Sequence, residues 1–147
     1  MNEQLIERIA SAFGDIPYLG DGNIAAETYD DEGTTEHFRG TRWQDHTVES
    51  LQNFTVLSFF TPEAFCYYLP AYMLAALQQP YSGIADSLIE FLCPPKNNPK
   101  RSSYWAWWSK LSTNQRQCVV SFINEFKPTD PIRFSPVIET LSTHVEV

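Results

Sequence analysis

Thr61-Pro62-Glu63-Ala64-Phe65-Cys66-Tyr67-Tyr68-Leu69-Pro70-Ala71-Tyr72-Met73-Leu74-Ala75-Ala76-Leu77-Gln78-Gln79 is the stretch whose reading decides the fold. Threonine is a good N-cap, proline is tolerated at the first helical position, and the glutamate after it meets the positive end of the helix dipole. The spacing predicts a helix over 62–79. Its apolar residues (Ala64, Phe65, Tyr68, Leu69, Tyr72, Met73, Ala76, Leu77) run nearly all round. A helix with no polar face has to be central. Pro70 lies inside it, gives no N–H to the Cys66 carbonyl and crowds it, so a kink is expected there.

Working outward, the flanks also read as helices. Leu5, Ile6, Ile9 and Phe13 make one buried face over 2–13, ended by Gly14 and Pro17. Residues 14–42 show no period and hold the acidic cluster Asp30-Asp31-Glu32-Gly33. They read as a long acidic loop, a length that in compact domains marks function or disorder. A helix can start near Trp43, with Asp45 or Thr47 as cap. The run Phe54–Phe60 is ambiguous between helix end and short strand. Downstream, Ser82 caps a helix over 83–92, and the prolines of 94–99 stiffen the loop after it. Tyr104–Trp108 reads as a short helix. Ser112-Thr113-Asn114-Gln115 is a capping box opening a helix to Phe126. Ser135-Pro136 opens a last amphipathic helix through Val145. The sum is an all-α, single compact domain, 1–147, of five or six helices around the Pro-kinked helix 62–79.

The stretch Phe59–Met73 resembles the signature TPEAF-x-YYLPA of a family of small uncharacterised bacterial proteins. There the segment lies mid-chain, after a tryptophan-containing segment and before a Leu-Ser-x-x-Gln helix start. Trp43 and Leu111-Ser112-Thr113-Asn114-Gln115 stand in those places, so the resemblance spans roughly residues 42–126. It implies a shared helical fold and carries no activity across. Small acidic proteins of this type resemble immunity or accessory proteins encoded beside toxins.

Composition narrows the function. The 147 residues carry a formal charge of −8, with 43% hydrophobic and 14% aromatic residues, which excludes a disordered chain. No apolar run reaches the ~18 residues that span a bilayer. The start, MNEQLIERIASAF, has two glutamates and no apolar core, so no secretory signal is expected. Residues 1–63 hold twelve Asp/Glu against three Arg, while 64–147 hold six against seven Lys/Arg. Binding to DNA or an anionic membrane is disfavoured; a basic protein partner suits the N-terminal part. Cys66, Cys93 and Cys118 have no C-x-x-C spacing and read as buried thiols in a reducing cytosol.

No constellation stands as catalytic chemistry. His37 and His46 lack converging ligands, Asp30–Gly33 lacks the alternating oxygens of a calcium loop, and Glu63 is explained as a dipole partner. No metal, no cofactor and no catalytic residue is expected. The leading expectation is a non-enzymatic, cytoplasmic, immunity-type protein that neutralises a basic toxin or effector. Asp30, Asp31, Glu32 and Glu36 would steer association, and Trp105, Trp107 and Trp108 would hold it. An alternative is a small-molecule domain or enzyme, with a pocket beside the Pro70 kink lined by Tyr68 and Tyr72. A third is a homo-oligomer joined through the tryptophans.

Overall fold

A computed structural model describes residues 3–25, 33–94 and 102–145. Among the described residues the chain is all-α, with eight α-helices and no strand. The helices are α1 (Glu3–Phe13), α2 (Thr34–Phe38), α3 (Val48–Leu51), α4 (Pro62–Gln78), α5 (Gly83–Leu92), α6 (Ser102–Trp108), α7 (Thr113–Phe126) and α8 (Pro131–Ser142). They sort into two compact units: residues 15–92, and residues 2–14 with 93–147.

The first unit is built on α4. Thr61 Oγ1 accepts from the Ala64 N–H at 3.0 Å, as the sequence signal requires. Between Pro62 and Gln78 there is no β-branched residue, and alanine and leucine recur, so local propensity agrees with the helix. Every residue from Ala64 to Met73 is buried, Pro70 among them. Pro80 follows Gln79 and cannot continue the helix. α5 packs on α4, capped by Ser82 Oγ, which accepts from Ala85 N at 3.3 Å. α3 and the turn at Trp43–Asp45 pack on α4 as well.

The expected helix near Trp43 is a single 3₁₀ turn followed by α3, whose Thr47–Ser50 capping box has both hydrogen bonds in place. Phe54–Phe60 resolves into a 3₁₀ turn, Leu57–Phe59, and an isolated antiparallel bridge between Phe60 and Ala25. The segment 14–42 is not a loop throughout. It contains α2, which buries Thr34 and Phe38, and which Gly33 enters at φ 84°. A positive φ there suits glycine. The cluster Asp30-Asp31-Glu32 lies outside the described residues.

In the second unit α7 packs against α1 and α8. Ser112 and Gln115 form the anticipated capping box, at 3.2 and 2.9 Å. Gln115 Nε2 also donates to Ala12 O at 3.1 Å, tying the end of α1 to the start of α7. α8 begins earlier than Ser135-Pro136. Its cap is Asp130, whose Oδ1 accepts from Arg133 N at 3.1 Å, and Pro131 takes the first position. Pro136 is therefore inside the helix, where its missing N–H removes one early-turn bond.

Candidate functional site

The two units divide the charge more sharply than the sequence halves do. Residues 15–92 hold twelve acids and two arginines, a net of −10. The remainder holds six acids and eight Lys/Arg, a net of +2. All eight described carboxylates of the first unit are exposed: Asp15, Asp21, Glu36, Asp45, Glu49, Glu63, Asp86 and Glu90. Arg42 approaches Asp45 at 3.8 Å, with both side chains largely in water. A pair of that kind contributes little and leaves most of the negative field intact. Glu36, one of the anticipated steering residues, is on this surface.

Several short elements of the first unit meet over α4 through His37, His46 and Tyr68. Tyr68 is fully buried, and its hydroxyl lies 2.9 Å from both Phe38 O and Thr41 O. Thr41 Oγ1 donates to Phe38 O at 2.6 Å, so it accepts from His46 Nε2, 2.8 Å away. His46 Nδ1 lies 3.1 Å from Ser50 Oγ, whose hydroxyl also donates to Thr47 O at 3.1 Å. His37 Nε2 donates to Ser50 O at 2.8 Å, and its ring stacks on Phe54 with centroids 3.8 Å apart. Both nitrogens of His46 therefore have a hydroxyl within hydrogen-bond distance. Burial first, and the neighbouring His37 next, pull its pKa from 6.5 down to about 4, while Asp45 acts the other way. Burial raises the Tyr68 hydroxyl to about 12 and the Tyr72 hydroxyl further.

Tyr68 and Tyr72, expected beside a pocket at the Pro70 kink, are 0% and 1% exposed. Both are in the core, and their hydroxyls are committed to backbone: Tyr68 as above, Tyr72 to Phe54 O at 2.5 Å. They fasten residues 38–54 to α4. Buried phenols that hold loop carbonyls satisfy the loop's backbone, which a buried loop otherwise leaves unpaired.

The tryptophans separate as well. Trp107 and Trp108 are each 2% exposed, too covered to be the contact surface anticipated for them. Trp108 Nε1 donates to His144 O at 3.0 Å. Trp105 is half-buried and stacks on the His144 ring, centroids 4.5 Å apart. Edge-to-face contacts link Tyr104, Trp105, Trp107 and Trp108 into one cluster. Crowded indoles prefer such geometry. Next to Trp108 is Arg116, a cation that is only 6% exposed. It donates to Trp108 O, Ser109 O and Val145 O at 3.1, 3.3 and 3.1 Å.

Among the described residues no three His, Cys, Asp or Glu side chains converge as metal ligands. No described helix is long and apolar enough to cross a membrane. Cys118 is buried and burial raises its pKa, so its thiol stays protonated and poorly nucleophilic at neutral pH.

The class these features define is an all-helical protein with exposed carboxylates around a tyrosine- and histidine-pinned framework. The chain belongs to the family of unknown function DUF6714, which it matches over residues 1–136. No curated protein and no solved structure matches it.

Proposed function

We propose that the chain is a non-enzymatic, cytoplasmic protein-binding protein of the immunity type, which neutralises a basic toxin or effector by covering it. One observation carries the reading: residues 15–92 hold a net charge of −10 while every described carboxylate among them is exposed. Self-repulsion of that size destabilises a compact fold, and a cationic partner relieves it. Facing charges of opposite sign also accelerate encounter and exclude like-charged competitors. The framework below is fixed by the Tyr68 and Tyr72 hydroxyls and by the α3 capping box, so little ordering is needed on binding. Asp30, Asp31 and Glu32 belong to the same acidic run, with Glu36 beside them.

Co-purification from the native host tests this. A discrete basic polypeptide should be retained stoichiometrically at low salt and released at high salt. Replacing Glu36, Asp45 and Glu49 by the corresponding amides should lower its association rate at least tenfold. Retention of nothing at low salt defeats the reading, as does a partner whose binding ignores both salt and these three residues.

A further inference from the structure

The second unit carries two adjoining grooves that share Arg8. The larger, about 600 Å³, lies against α1, α7 and the end of α8, with Gln117, Ser121, Ser142 and Thr143 in its lining. The smaller, about 320 Å³, is lined by Ser11 of α1 and by Ser112 and Asn114 at the start of α7. In a chain of net charge −8, neither groove has an acidic side chain among its described lining residues. Arg8 Nη1 donates to Ser121 Oγ at 3.2 Å, which aims the guanidinium along α7 and leaves its other donors to the grooves. It has no carboxylate partner among the described residues. Ser11, Asn114, Gln117 and Ser142 have no side-chain partner within the described protein, so their hydrogen-bonding groups also face outward.

We propose that these grooves form one binding site for a small anionic polyol of the sugar-phosphate class. A guanidinium recognises phosphate oxygens through paired, charge-assisted hydrogen bonds. The first turn of α7 adds positive potential beside the smaller groove. The amide and hydroxyls of the larger groove match a ligand whose remaining surface is hydroxyl groups. A polar lining of that kind selects against apolar molecules, although the volume falls in the usual range for ligand sites. Every lining residue of both grooves belongs to the second unit.

Titration of the full chain with ribose 5-phosphate, followed by amide ¹H–¹⁵N spectra, tests the proposal. Resonances of Arg8, Asn114, Gln117 and Ser121 should move together and saturate. Arg8→Gln should weaken binding at least tenfold, Arg8→Lys should recover part of it, and Arg133→Gln on α8 should stay within twofold. Ribose without phosphate should bind at least tenfold more weakly. Non-saturating shifts spread over all cationic residues, or indifference to Arg8→Gln, overturn the site. Inorganic phosphate binding as tightly as ribose 5-phosphate overturns the polyol half.

Discussion

Arg116 shows what a single residue decides. A buried guanidinium without a carboxylate is costly unless its donors are met. Its acceptors are carbonyls at two helix ends, Trp108 and Ser109 closing α6 and Val145 following α8, where the dipoles are negative. The charge therefore replaces the partners that those terminal carbonyls lack. Its Cζ also stands 5.9 Å from the Trp108 ring centroid, within cation–π range. Arg116→Gln should cost about 2–4 kcal/mol in denaturant unfolding. Arg116→Lys should recover less than half of that, because one ammonium cannot span three carbonyls on two helices. His46 makes the second prediction at this scale. Its pKa is lower folded than unfolded, so the unfolded chain takes up the proton first as pH falls. Its stabilising effect is complete above pH 6.5 and is lost progressively toward pH 4. Discounted for its half-exposure, the loss by pH 5 is on the order of 1–2 kcal/mol. His46→Gln should flatten the stability profile between pH 7 and pH 5; a profile unchanged by the substitution would show that His46 does not set it.

Among the elements, the segment 33–54 has little internal periodicity and depends on α4. α2 has five residues and α3 four, too short to be stable alone. Phe38 O and Thr41 O are met by Tyr68, and Phe54 O by Tyr72. Tyr68→Phe should destabilise the protein by about 1–2 kcal/mol. Amide exchange should accelerate around residues 38–46, while α5 exchanges as before. Uniform acceleration across the unit would mean that the hydroxyl fixes no particular segment. This dependence explains what could be read from sequence. The caps at Thr61, Ser82 and Ser112 are local patterns, and the helices they open are present with bounds within a residue or two, whereas the Thr47 cap opens only the four-residue α3. α2 was not legible, because what holds it is burial of Thr34 and Phe38 against distant residues. The last helix was expected from Ser135-Pro136, whereas the cap that operates is Asp130, followed by Pro131. The tyrosine hydroxyls point to carbonyls 18 to 30 residues earlier in the chain, a relation no spacing rule reveals. Arg116 was missed because an arginine in sequence reads as surface by default.

At the scale of the molecule, chain order and spatial grouping disagree. α1 comes first in sequence yet belongs with residues 93–147. Its buried residues Leu5, Ile9 and Phe13 supply one side of the α1–α7 packing. Arg8 and Ala12 add cross-links to Ser121 and Gln115. Residues 15–92 are thus an insertion between two parts of the other unit, and they hold twelve of the eighteen acidic residues. Removing α1 takes away three fully buried side chains, each contributing roughly 1.5–3 kcal/mol by burial. That loss is comparable with the whole stability of a small domain. A chain starting at Asp15 should therefore lose order first where α7 is exposed. Indole ¹H–¹⁵N resonances give a direct reading, since Trp43 lies in one unit and Trp105, Trp107 and Trp108 in the other. Trp107 and Trp108 should collapse toward random-coil positions, with Trp43 displaced far less. Equal loss at all four indoles would show that the two units fold only as one, and that charge and packing are partitioned without any partition of stability.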